Sequence, residues 1–167
     1  MNPVHLHLAL NHVAVVGIPI ALLLALRGFF RDGKIFLPLS YKLVVALALI
    51  TLVVYLTGEP TEEAVEHLTG ISEKLIEPHE DAATVALVLT LLSGCLALVG
   101  LVFSAKEKLA PTIHKALTVC LLLASGSLAF TALQGGKIHH EEIRDSNGVG
   151  AGVQADIGGE EDVGEVE

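Results

Sequence analysis

The sequence predicts an all-α fold, a four-helix transmembrane bundle, and three observations carry that prediction. Hydrophobic residues make up 52% of the 167, mean hydropathy is +0.65 and only 17% are charged, far from the average of a soluble domain. Four stretches are each apolar over the 20 or so residues needed to cross a hydrocarbon core about 30 Å thick. Basic residues gather on two of the three connections between those stretches, as expected of loops kept in the cytoplasm.

The first span covers about residues 8–26, inside a stretch from Met1 to Leu26 without a charged side chain. Arg27 and Arg31 follow this run and no Lys or Arg precedes it, the reverse of a secretory signal, so it is expected to stay in the mature chain. Gly17, Ala21 and Ala25 recur at four-residue spacing and offer a seam for close helix contact. Pro19 removes one backbone donor and predicts a kink near Val15. The second span covers about 37–57, with Lys42 near enough to one end for its amine to reach the headgroups.

Between spans 2 and 3 a short extramembrane helix is expected. Pro60 suits a first helical position, Glu62 and Glu63 favour the positive end of a helix, and Ala64, Val65 and Leu68 share one face. Pro78 suits the same position for the third span, about 82–105, with Glu80 and Asp81 in its first turn. The fourth span, about 116–136, carries Ser125 and Ala129 as its small-residue seam. Residues 1–144 thus form the membrane domain. Residues 145–167 contain no Lys or Arg, many glycines and seven carboxylates, a composition that cannot offset its ordering entropy. A disordered acidic tail is expected there.

Arg27, Arg31, Lys34 and Lys42 flank the first connection and Lys106, Lys108 and Lys115 the third, leaving three of the ten basic residues elsewhere. Among the acidic residues only Asp32 and Glu107 share that side. The expected placement is a multi-pass protein of a bacterial inner (plasma) membrane, both termini periplasmic or extracellular. A net charge of −9, with no basic cluster to track phosphates, argues against a nucleic-acid partner. Two distant cysteines and no Cys-x-x-Cys exclude a disulfide scaffold, a zinc ribbon and covalent c-type haem. No Gly-x-Ser-x-Gly occurs, and no histidine matches the depth of the intraspan serines, which disfavours nucleophilic hydrolysis. The absence of charge near the centre of any span leaves a transporter weakly motivated.

Seven of eight histidines map to the outer end: His5, His7, His12, His67, His79, His139 and His140. Only His114 maps inside, where a helix start in the interface explains it. The outer imidazoles lie near Glu62, Glu63 and Glu80. His12 sits about 7 Å into the first span at 1.5 Å per residue, and an ionisable group at such depth is expected to face the bundle. Neutral imidazole ligates transition metals and the iron of b-type haem. His12 and His79 on facing helices would suit a bis-histidine haem, with His140 as a further candidate. A metal site would draw on His7, His12, His79 and His140 with Glu62, Glu63 or Glu80. A ferritin-like centre is disfavoured, because no paired Glu-x-x-His occurs. Two functions follow: a transition-metal or haem protein for electron transfer or metal handling, working with a redox partner, or a cofactor-free accessory or scaffold subunit of a membrane complex.

The motifs His5-Leu-His7-Leu-Ala-Leu-Asn11-His12, Thr57-Gly58-Glu59-Pro60-x-Glu62-Glu63, His79-Glu80 and Gly135-Gly136-Lys137-Ile138-x-His140-x-Glu142-Ile143-Arg144 resemble those of a group of uncharacterised bacterial four-helix membrane proteins. That resemblance spans about residues 1–144 and implies the same fold and polar positions. In that group an Arg often stands at the place of His139, which favours His140 as the ligand. The group is loosely similar to small four-helix membrane cytochromes. The resemblance supplies no reaction.

Overall fold

The computed structural model describes residues 3–31, 33–65, 73–103, 110–140 and 143–144. The expected acidic tail lies outside them, as do the side chains of His67 and His139. Five helices follow in order: α1 (Pro3–Phe30), α2 (Gly33–Leu56), α3 (Gly58–Val65), α4 (Glu73–Phe103) and α5 (Ala110–His139). The four long ones are each long and apolar enough to cross a membrane, and the chain is read as a four-span membrane protein. At 1.5 Å per residue, α4 with its 31 residues is about 46 Å long, well beyond the hydrocarbon thickness.

The long helices close into a four-sided bundle in which α1 packs on α2, α2 on α4, α4 on α5 and α5 on α1, while α3 rests against α1 and α2. One end carries the starts of α1 and α4, the helix α3 and the end of α5; it is called the histidine end below. The other, the basic end, carries the α1–α2 turn and the starts of α2 and α5.

Small residues lie inside and bulky ones outside. Ala14, Ile18, Ala21 and Ala25 of α1 are fully buried, as are Ala86, Thr90, Ser93, Gly94, Ala97 and Gly100 of α4. Leu23, Leu49, Val88 and Leu122 are more than half exposed, an arrangement suited to lipid contact and costly in water. A Cβ on Gly94 would stand 2.7 Å from the Cβ of Ala48, and one on Gly100 would stand 2.6 Å from the Tyr41 ring. Helices α2 and α4 therefore approach as closely as their backbones allow. Two buried hydroxyls find carbonyl partners: Ser40 donates to Ala21 across the α1–α2 seam at 2.8 Å, and Ser93 donates to Leu89 in its own helix at 2.8 Å.

Pro19 lies within an uninterrupted α1, so the helix is not broken there. Two local expectations are corrected. Pro78 is the sixth residue of α4 rather than its first, so it leaves the Lys74 carbonyl without its helical donor. On α5 the packed face is Leu117, Leu121, Ala124 and Leu128, and the seam expected at Ser125 and Ala129 is not used: Ala129 is exposed.

Candidate functional site

Two half-buried imidazoles from different helices, His7 of α1 and His79 of α4, stand at the histidine end. His7 lies one heptad before Ala14 and two before Ala21, so a helix turns it to the packed face of α1. Its half-buried ring donates from Nδ1 to the Val54 carbonyl at 2.9 Å, with the Thr57 hydroxyl 3.4 Å from the same nitrogen. Val54 belongs to the last turn of α2, where carbonyls lack an amide four residues on, so His7 also serves as a cap on that helix. Gly58, opening α3, lies against the same ring: its Cβ would be 3.8 Å from Cε1.

His79 stands three residues after buried Ile76 and three before buried Ala82 on the packed face of α4. Its half-buried ring donates from Nδ1 to the Thr131 carbonyl of α5 at 3.0 Å. A Cβ at Gly135 would lie 3.0 Å from its Cε1 and 3.2 Å from Nδ1, so the glycine makes room for the imidazole.

A carbonyl oxygen only accepts, so in both rings Nδ1 carries the proton and the neutral tautomer leaves a lone pair on Nε2. Metal-ligating histidines are oriented in the same way, by donation of the other ring nitrogen to a carbonyl or carboxylate. The donor set available here is thus a pair of imidazole Nε2 atoms held by α2 and α5. Among the described residues no group of three or more His, Cys, Asp or Glu is placed to hold a metal ion.

The other expected ligands are dispersed. His12 is exposed on the outer face of α1, in line with Val16 and Leu23, and its Nδ1 donates to the Leu8 carbonyl of its own helix at 2.7 Å. The inward orientation expected from its depth is not adopted, because the preceding helical turn supplies its partner. Glu63 and Glu80 are exposed, and Glu62 is half-buried on α3. His140 is exposed just beyond α5, where its amide donates to the Gly136 carbonyl at 2.9 Å. Arg144 then folds back and donates to the carbonyls of Lys137 at 2.8 Å and Ile138 at 2.9 Å, closing the helix end.

His114 is the histidine whose environment the sequence reading missed. It is 3% exposed, buried at the basic end rather than wetted by the interface. Phe29 stacks on it with ring centroids 5.5 Å apart, and the Tyr41 hydroxyl lies 3.4 Å from Nδ1. The Ala25 carbonyl is near the ring, but no hydrogen bond reaches Nε2. Phe29 and Tyr41 are two of only seven aromatic Phe and Tyr residues in the chain, and their gathering around the first connection was the available signal.

Comparison of the chain with family models, curated proteins and solved structures gives no match.

Proposed function

We propose that this four-span protein sits in a bacterial plasma membrane with its histidine end outside the cytoplasm, and that His7 and His79 are the ligand pair of a transition metal or b-type haem used in electron transfer or metal handling. One observation carries the reading: two half-buried imidazoles, 72 residues apart in sequence, each have Nδ1 committed to a backbone carbonyl, which leaves Nε2 as the ligating atom on both. A pair of imidazoles is a donor set that would hold the iron of a b-type haem, with His7 and His79 as the protein ligands. A metal bound by protein alone needs further ligands, for which Glu62 on α3 is the least exposed of the candidate carboxylates. The orientation rests on the seven basic residues around the first and third connections. Bound haem or metal would supply the one-electron chemistry; the chain's part is to orient both rings, exclude bulk water with α3 and hold the two Nδ1 protons in place.

Absorption spectra and elemental analysis of protein extracted from membranes test this. A Soret band, or one equivalent of transition metal without it, is the expected result, lost in His7→Ala and in His79→Ala and retained in His12→Ala. Protein free of both overturns the reading in favour of a cofactor-free scaffold subunit. The exposure of Glu63, Glu80 and His140 at the histidine end favours that second function, since exposed polar side chains there suit contact with a partner protein.

A further inference from the structure

Three of the ten basic residues lie outside the first and third connections: Lys74, Lys137 and Arg144. They come from the first turn of α4, the last turn of α5 and the segment beyond it, in a part of the chain otherwise rich in carboxylates. All three line one cleft between α4 and α5 at the histidine end, together with Leu75, Pro78 and Gln134, and no carboxylate is among the described residues that line it. Pro78 and Gln134 also line a second groove that continues along the same seam past Ala82 and Ser127 to Val85 and Phe130. From Pro78 to Val85, as from Gln134 to Ser127, is seven residues, so the groove descends about 10 Å toward the middle of the bundle. Val85 and Phe130 are each 55% exposed and face the surroundings of the bundle. The carboxylate of Asp81 belongs to this lower groove and not to the basic cleft.

We infer that this seam binds an anionic phospholipid from the adjacent leaflet, its phosphate among Lys74, Lys137 and Arg144 and an acyl chain along Val85 and Phe130. Charge complementarity selects the headgroup: three like-charged side chains line one cleft, and each basic residue strengthens attraction to anionic lipid. The bonds from Arg144 to two carbonyls fix its guanidinium at the rim. Pro78 leaves the Lys74 carbonyl without its helical donor on the wall of the same cleft. The side-chain oxygen of Gln134 is buried and receives no hydrogen bond; it lines both parts of the seam, and a hydroxyl of a glycerol headgroup would satisfy it. An apolar groove alone would accept any lipid, whereas the basic cleft above it asks for a negative one.

The test uses the full-length protein in mild detergent, with melting followed on addition of phosphatidylglycerol, of phosphatidylcholine with the same chains, and of glycerol 3-phosphate. Native mass spectrometry of the same samples counts bound lipid. Phosphatidylglycerol is expected to raise the melting temperature and to be retained, and the other two are not. Lys74→Gln with Lys137→Gln should weaken its binding roughly tenfold or more, while Lys115→Gln at the basic end should not. Lys74 is exposed, so its single variant gives the readout if the double variant fails to accumulate. Equal effects of the two phospholipids, reproduction of the shift by glycerol 3-phosphate alone, or unchanged binding in the Lys74 variants would each overturn the assignment.

Discussion

Replacing Gly135 by Ala separates the histidine site from the bundle that carries it. The added Cβ would stand 3.0 Å from His79 Cε1 and 3.2 Å from Nδ1, against an optimum of about 3.5–4.0 Å for carbon contacts. The ring must retreat by about 0.5 Å, which lengthens the 3.0 Å bond to the Thr131 carbonyl beyond the useful range. Losing that bond costs about 1 kcal/mol. Alanine in place of glycine within a helix returns about 1 kcal/mol. The two terms offset, so thermal unfolding in detergent should shift little. Ligand binding should not be spared, because misplacing the partner that orients a ligating histidine lowers affinity about 10- to 100-fold. Haemin or metal titration of the extracted protein, read by absorption, measures that loss. Gly136→Ala is the control: its Cβ meets only the flexible end of Ile143, at 3.2 Å. Wild-type affinity in Gly135→Ala, or an equal loss in both variants, would refute the role given to His79.

The remaining expectations concern the packing. Gly94→Ala should destabilise by about 1–3 kcal/mol, because the Ala48 methyl in its way, 2.7 Å off, has no rotamer to retreat into; a melting temperature at or above wild type would contradict the described α2–α4 contact. Gly126→Ala meets nothing within 4 Å and should be neutral or gain up to about 1 kcal/mol, as the same melts will show. His114→Ala empties a ring stacked on Phe29 and should cost about 3 kcal/mol, whereas Tyr41→Phe, which removes only a hydroxyl at 3.4 Å, should cost less than about 1 kcal/mol. Comparable losses in the two variants would show that the hydroxyl contact, not the stacking, holds that corner together.

The long apolar runs made the four spans legible, and so did the Gly17, Ala21 and Ala25 seam, since small residues at four-residue spacing have few other uses in lipid. Rotation about each axis was harder to read. In α5 the interior and the lipid are both apolar, so no polar stripe marks the outer face, and Ser125 and Ala129 were as eligible as Ala124 and Leu128. A phase was available in α1: once Ala14 and Ala21 are inside, heptad spacing carries His7 in and leaves His12 out with Val16 and Leu23. Depth alone pointed to His12, but a side chain that bonds its own Leu8 carbonyl needs no neighbour. His79 was readable as a polar residue at a helix start. Its partner on α5 was not, although two adjacent glycines at 135 and 136, between Gln134 and Lys137, already marked a close approach. Lys74, Lys137 and Arg144 are remote in sequence, and only the antiparallel pairing of α4 with α5 brings them to one cleft.

Two residues separate Phe30 from Gly33, and the turn is drawn tight: the Arg31 amide bonds the Arg27 carbonyl at 2.8 Å, and a Cβ on Gly28 would strike Leu37 at 2.5 Å. Such a link has no slack. A joint this short holds α1 and α2 side by side as the two arms of one hairpin, with Gly28 and Leu37 as its inner contact.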